Sequence, residues 1–135
     1  MSEKATVNGR YLPHLDLSSL YSINRRIGAQ QSWTRGFTGS GVTVAVIDTG
    51  VTRMKGLDGV GKVVNGPDLS YESQRPGTRY LDGFGHGTHM AGIIAGQDGD
   101  LSANSGPFAF GGVAPGARIL NMKVATGDGG ADVTA

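Results

Sequence analysis

Residues 83–96 read Gly83-Phe84-Gly85-His86-Gly87-Thr88-His89-Met90-Ala91-Gly92-Ile93-Ile94-Ala95-Gly96. The glycines ahead of the first histidine predict a tight entry into a helix, with His86 in its first turn. The alanines and glycines behind it predict a helix that packs closely against a flat neighbour, and they require no ligand. Because histidine changes its charge near neutral pH, His86 can carry out proton chemistry if a suitable partner faces it.

A candidate partner follows an apolar run earlier in the chain. Residues 42–47 are rich in β-branched side chains and apolar on both faces, which is typical of a central strand in a parallel sheet covered on both sides. Asp48 comes directly after this run, where open α/β sheets place their sites. Further strands are predicted at 62–65 and 117–124. The order strand, helix, strand predicts a right-handed βαβ unit, and the fold class is α/β.

The rest of the chain consists of shorter segments. We predict an arm at 1–14, helices at 16–28 and 29–35, surface connections at 66–85 and 98–110, and a first helical turn at 131–135. Asp16 or Ser18 would cap the first helix, and Trp33 would anchor the second. A helix needs about three turns to be stable, so the last segment gives the expectation that the sequence is cut within a domain.

Composition excludes several classes of function. The net charge is +1 and charged residues make up 17% of the chain, which gives no electrostatic surface for nucleic acid or for an anionic membrane. There is no cysteine, so neither disulfides nor thiolate chemistry are expected. All apolar runs are too short to span a bilayer. The first residues lack the layout of a signal peptide, which leaves the compartment open.

Asp48 and His86 form the pair with the clearest chemical meaning. Both are predicted at the carboxyl edge of the sheet, where a carboxylate can accept a hydrogen bond from one imidazole nitrogen. Such a bond fixes the tautomer and leaves the other nitrogen free as a general base. Either residue alone is equally consistent with a structural role, but the two together indicate catalysis.

Two other interpretations of the same residues stay open at this point. His86 and His89 stand three apart on one helix face and could hold a metal, although the spacing suggests no third ligand. Asp48-Thr49-Gly50 after an apolar strand also occurs in aspartic proteases, where two such loops share a proton. Because the sequence contains one copy, that mechanism would require a homodimer.

The sequence resembles the subtilisin-like serine proteases. Residues 44–51 and 86–92 are similar to the aspartate and histidine signatures of that family, and 112–115 with 123–124 match a third stretch. The lead-in residues 27–29, 33–36 and 39–42 also match, so the resemblance covers residues 19–135. It implies a three-layer α/β architecture with a parallel sheet, of which this chain is about the N-terminal half.

The resemblance also implies roles for individual residues. Asp48 would be the triad aspartate, His86 the base and His89 a packed structural neighbour. Asp82 would lie beside the substrate groove and favour basic side chains. Gly127 and Gly129 fall in the 127–130 segment, whose backbone would pair with an extended substrate. The family is commonly secreted.

Several family features are missing from these 135 residues. The serine signature Gly-Thr-Ser-Met-Ala does not occur, nor do stretches for the oxyanion-hole asparagine and the primary specificity pocket. In this family all three lie C-terminal to the segments matched here. Ser102 and Ser105 stand in the wrong context to replace the nucleophile.

No cofactor is expected for the chemistry, and structural calcium is possible. Asp98, Asp100 and Asn104 could supply oxygen ligands, although their loop does not match the family pattern. Asp58 is off by about one position from another calcium-binding aspartate of the family. No metal residue is therefore assigned.

The sequence predicts an N-terminal arm at 1–18 and the N-terminal part of a subtilisin-like peptidase domain at 19–135. The predicted function is that of a serine endopeptidase to which this chain supplies Asp48 and His86. Its partners would be a protein or peptide substrate and a second chain that carries the C-terminal part of the domain with the serine. A non-catalytic fragment or interaction module on the same scaffold is the alternative.

Overall fold

The structure is a computed structural model that describes residues 5–99, 101 and 105–131. The elements in this part are, in chain order, β1 (Thr6–Val7), β2 (Arg10–Tyr11), a 3-10 helix (Pro13–Leu15), α1 (Leu20–Arg26), α2 (Ala29–Thr34), β3 (Thr43–Asp48), β4 (Val63–Asp68), α3 (His86–Ala95) and β5 (Arg118–Lys123). Strands β1 and β2 pair as a short antiparallel hairpin.

The main sheet consists of three parallel strands in the order β3-β5-β4. Strand β5 is central, and α3 lies between β4 and β5 in the chain, as expected for a βαβ unit. The register sets Asp48 opposite Lys123, and Lys123 opposite Asp68 at the end of β4. The α/β class and the parallel sheet predicted from the sequence are confirmed.

Helix α3 packs on one face of this sheet and forms the core with it. Ala91 and Ala95 are fully buried and meet Val46, Val63 and Ile119 from the three strands. Small side chains let the helix backbone approach the sheet, as the alanines and glycines of this stretch predicted. The core therefore holds the first turn of α3 close to the end of β3.

The opposite face of the sheet has no covering layer among the described residues. Ile47 is 64% exposed and Val64 is 39% exposed on this face, next to Leu120 and Met122 of the central strand. The expectation of a sheet covered on both faces is thus met on the α3 face alone in this part of the chain. Strand β3 is also an edge strand here rather than a central one.

Helices α1 and α2 contact the segment that follows α3. The buried Asn24 donates to the carbonyl of Gly111, and the Trp33 indole N–H donates to the carbonyl of Val113 at 3.0 Å. The anchoring role predicted for Trp33 is thus a hydrogen bond as well as a contact. The cap of α1 is Ser19, whose hydroxyl accepts from the N–H of Ser22, rather than the predicted Asp16 or Ser18.

Two sequence expectations concern the ends of the chain. Residues 5–15 form the β1–β2 hairpin and the 3-10 helix instead of a plain extended arm. The predicted first helical turn at 131–135 lies outside the described residues except for Ala131, which bridges to Ala125. Over the described ranges, no helix combines the length and apolar character needed to cross a membrane.

Candidate active site

Asp48 and His86 meet at the carboxyl edge of the sheet. The Nδ1 atom of His86 lies 2.8 Å from Oδ2 and 2.9 Å from Oδ1 of Asp48. Because a carboxylate only accepts hydrogen bonds, Nδ1 is the donor in this contact, and in the neutral ring Nε2 then keeps a free lone pair. The His86 side chain is 55% exposed, whereas the Asp48 side chain is 16% exposed. The geometry is that of a general base whose ring is held from behind by a carboxylate.

The close approach of these side chains depends on Gly87. A Cβ atom at this position would lie 2.1 Å from the carbonyl oxygen of Gly50 and 3.2 Å from Asp48 Oδ1. No side chain fits there without a shift of the helix. Gly50 has a φ of +109° and packs against the carbonyl of Leu81, so the loop after β3 is equally tight.

Asp82 and Thr49 together satisfy the start of α3. The Asp82 carboxylate accepts from the N–H groups of Gly85 and Thr88, both at 2.7 Å, and from the Thr49 hydroxyl at 2.7 Å. The Thr49 hydroxyl in turn accepts from the N–H of Gly87 at 2.9 Å. The first helical N–H groups have no partner within the helix, so these side chains cap it and fix its direction.

The carboxylates of this site are stabilised in their ionised form. Burial alone would raise the pKa of Asp48, but hydrogen bonds from the N–H of Thr49 and from His86 outweigh it and hold that pKa below the ordinary value. Burial also raises the pKa of Asp82, but hydrogen bonds from Thr88, Gly85 and Thr49 outweigh it and hold that pKa below the ordinary value. Both groups are therefore anionic at neutral pH. A charged Asp48 can stabilise the imidazolium that forms when His86 accepts a proton.

The observed contacts of Asp82 differ from those expected of a residue that only lines a substrate groove. Its carboxylate caps α3, although the residue also lies on the wall of a cavity of about 840 Å³ between α1 and α3. A contact with substrate therefore stays a prediction for Asp82. What the structure adds is a positioning role, because its hydrogen bonds hold the helix that carries His86.

His89 is placed differently from the packed neighbour that the sequence suggested. Its side chain is exposed and lies on the wall of the same cavity as Asp82, and it forms no hydrogen bond within the described residues. The open position follows from helix geometry, since residue 89 is three positions after His86 on an outward-facing part of α3.

The glycine segment at 127–130 folds back on itself in the structure. Thr126 N–H donates to the carbonyl of Gly130, and Gly129 N–H donates to the carbonyl of Thr126. Gly129 has a φ of +84° and stacks against the ring of Phe84, while Gly127 packs on Gly83. The segment is thus a turn beside the histidine loop rather than an extended edge, and the pairing of Gly127 and Gly129 with a substrate stays a prediction.

No cluster of three or more potential metal ligands occurs within residues 5–99, 101 and 105–131. His86 Nδ1 contacts Asp48, whereas the exposed His89 lies on the wall of the cavity between α1 and α3. Of the calcium candidates, Asp98 pairs with Lys55 at 3.1 Å, whereas Asp100 and Asn104 lie outside the described residues. The aspartic protease alternative is not supported either, since the partner of Asp48 is an imidazole.

Sequence reasoning missed two residues of the site, Thr49 and Lys123. The sequence shows Thr49 only as part of the Asp48-Thr49-Gly50 turn, yet its hydroxyl joins the aspartate loop to α3. It shows Lys123 only as part of a family match, yet the Lys123 side chain is completely buried behind the site. A lysine inside a predicted buried parallel strand is the signal that singles it out, because a buried lysine requires a partner for its charge.

Comparison with known proteins gives consistent matches. The Subtilase family profile matches residues 39–135. Subtilisin BL of Lederbergia lenta is 38% identical over 104 residues, which are 77% of this chain and 33% of that protein. The major intracellular serine protease of Bacillus subtilis (strain 168) is 31% identical over 127 residues, covering 90% of this chain and 37% of its own length.

A solved structure shows the same fold. The crystal structure of MycP1 from the ESX-1 type VII secretion system matches with a TM-score of 0.56 at 31% identity, over 76% of this chain and 23% of that chain. The chain spans roughly a third of the length of the two curated relatives above. The matched residues include Asp48 at the end of β3 and His86 at the start of α3. The chain belongs to the Subtilase family of serine proteases.

Proposed function

We propose that this chain supplies the aspartate and the histidine of a Ser-His-Asp triad in an endopeptidase. The observation that carries the proposal is the contact of His86 Nδ1 with both oxygens of Asp48, which leaves Nε2 free and exposed. His86 would take the proton of a serine hydroxyl as it attacks the peptide carbonyl and return it to the leaving amine. Asp48 would orient the ring and stabilise its charged form.

The serine has to come from outside the 135 residues, because no Gly-Thr-Ser-Met-Ala signature occurs in them. We therefore place it on a C-terminal segment of the same peptidase domain, present as a second chain or as a continuation. We call the assembly of both parts the completed protease. The substrate would be a protein or a peptide, in keeping with the family.

The exposed face of the sheet supports this arrangement. Ile47 and Val64 lie on it with large exposed fractions, and β3 is an edge strand of the sheet formed by the described residues. Apolar surface and unpaired strand edges of this kind are normally covered by further structure. We expect the chain to be fully ordered only with the complementing segment, and a sharp melting transition of the isolated monomer would contradict this.

A serine-directed fluorophosphonate tests the nucleophile. The chain alone should not become labelled, whereas the completed protease should be labelled at a serine of the C-terminal segment. His86→Ala in the completed protease should abolish labelling and peptide hydrolysis, with Ala substitution of the exposed His89 as the matched control. Labelling of the isolated chain, or full activity of His86→Ala, would refute the proposed mechanism.

The same experiment addresses the non-catalytic alternative. An interaction module would bind its partner yet show neither labelling nor hydrolysis in any assembly. The intact mass of the purified particle then identifies whether a second polypeptide with the serine signature is present.

A further inference from the structure

Lys123 is a buried cation directly behind the candidate site. Its side chain is 0% exposed, and its Nζ atom lies 2.6 Å from the carbonyl oxygen of Leu81, 2.8 Å from Oε2 of Glu72 and 3.1 Å from the carbonyl oxygen of Thr49. An ammonium group has three N–H donors. Each donor therefore has one acceptor, and the charge is paired with a carboxylate.

This arrangement fixes the position of the ammonium group. Removing a lysine from water costs several kcal/mol, which only well-placed partners can offset. Lys123 belongs to the central strand and lies in register with Asp48 on one side and Asp68 on the other. Its main chain therefore moves with the sheet, and its side chain provides a rigid anchor for whatever it binds.

The three acceptors lie on two connections of the candidate site: Thr49 follows β3, whereas Glu72 and Leu81 both lie between β4 and α3. Thr49 follows Asp48 directly, and its N–H donates to that carboxylate. Leu81 precedes Asp82, whose carboxylate caps α3. Glu72 also connects Lys123 to the glycine turn, because its other carboxylate oxygen accepts from the N–H of Gly127 at 3.3 Å. One ammonium thus connects the aspartate loop, the histidine loop and the glycine turn.

We propose that Lys123 is a positioning residue of the active site, which holds the Asp48 and His86 loops against each other and, through Glu72, sets the place of the Gly127 turn. The inference rests on the proposed function. In this role Lys123 keeps the His86 ring in the tautomer that catalysis requires, although Lys123 itself does not face the substrate.

The tautomer of His86 provides a test that a purely stabilising role would not affect. Nitrogen-15 NMR at a pH where histidine is neutral distinguishes protonation at Nδ1 from protonation at Nε2. In the unchanged chain we expect Nδ1–H, because Asp48 accepts from that nitrogen. In folded Lys123→Met the two loops separate, and we expect a mixture in which Nε2–H is substantial.

Lys62→Met is the matched control. Lys62 also donates to two main-chain carbonyls, those of Pro115 and Ala117, but near the amino end of the sheet. It should lose stability without changing the His86 tautomer. If Lys123→Met folds and keeps His86 as fully Nδ1–H as Lys62→Met does, the proposal is overturned.

Glu72→Gln keeps the proposal falsifiable should Lys123→Met fail to fold. This variant retains the ammonium with its two carbonyl acceptors, so the His86 tautomer should be unchanged. The Gly127 amide loses a charged acceptor, and its hydrogen exchange should accelerate about fivefold. Unchanged exchange at Gly127 would refute the link through Glu72.

Both NMR readouts are made on the completed protease, and neither depends on the reactivity of the serine. Failure of the proposed function would appear as absent hydrolysis despite an intact Nδ1–H tautomer. Failure of the Lys123 inference would appear as an intact tautomer in Lys123→Met. In the completed protease, Lys123→Met should lower kcat, whereas Glu72→Gln should mainly raise KM for extended peptides.

Discussion

Replacing Gly87 with alanine tests how the fold brings Asp48 and His86 together. The new Cβ would lie 2.1 Å from the carbonyl oxygen of Gly50, whereas real contacts of this kind are not shorter than 3.0 Å. The start of α3 must therefore retreat by about 0.9 Å or force the loop after β3 to move. A shift of that size can lengthen the contact from His86 to Asp48 from 2.8 Å to at most about 3.7 Å, beyond hydrogen-bond range.

Two opposing effects decide the stability of Gly87→Ala. Alanine in a helix is favoured over glycine by about 0.5–1 kcal/mol. Overpacking against a rigid main chain costs about 1–3 kcal/mol, so we expect net destabilisation of about 1–2 kcal/mol. A misplacement of about 1 Å can reduce the rate about 100-fold, and we expect a loss of that order in kcat/KM of the completed protease.

Gly92→Ala is the matched control on the same helix. A Cβ there would have Phe110 as its nearest neighbour at 3.9 Å, an ordinary contact. This variant should gain about 0.5–1 kcal/mol and keep its activity. Urea unfolding and peptide hydrolysis measure both quantities. Equal stability and equal activity of the two variants would show that the contact of Gly87 with Gly50 does not control the site.

Two further predictions concern the groups around the helix start. Thr49→Val removes the hydroxyl that joins Asp82 to the N–H of Gly87, so it should destabilise the completed protease by about 1–3 kcal/mol. Thr49→Ser keeps a hydroxyl and should retain most of that stability. Equal urea midpoints for the Val and Ser variants would contradict this. Because the folded pKa of Asp82 is lowered, its contribution to stability is complete above the ordinary carboxyl pKa of about 4 and is lost as the pH falls through the lower folded value. Unfolding free energies between pH 7 and 3 should therefore fall less steeply in Asp82→Asn, and parallel curves would argue against the capping role.

The pairing of Asp48 with His86 could be predicted because it follows from local patterns. A β-branched run that ends in a carboxylate and a glycine-rich helix start that carries a histidine each have a defined place at the sheet edge. The core face of α3 was likewise visible in its small residues. The resemblance of the four stretches to one family added specificity to this reading.

The rest of the site depends on distances that spacing does not encode. Asp82 precedes the helix by four residues, and only the fold of the loop shows that its carboxylate turns back to cap the helix. The turn at Gly127 depends on contacts with Phe84 and Glu72 from distant segments. Lys123 looked like an ordinary strand end, since its three acceptors come together only in the folded structure.

The residues of β3 also do not predict which segments pack on its two faces. An apolar run on both faces indicates a strand that suits burial on both sides. It does not say which residues provide each cover. In the described part, α3 covers Val46, while Ile47 on the next position faces outward.

The Asp48–His86 contact joins the last residue of β3 to the first residue of α3. The uncovered face of the sheet is the one opposite α3. Asp48 thus lies at the carboxyl edge of the sheet, whereas the exposed Ile47 and Val64 lie on the face that α3 does not cover. If a separate chain supplies the serine, peptide hydrolysis would report the association of the two parts, because these 135 residues lack the serine signature. Substitutions at Ile47 or Val64 would then tune the affinity of the two halves while leaving the catalytic geometry in place.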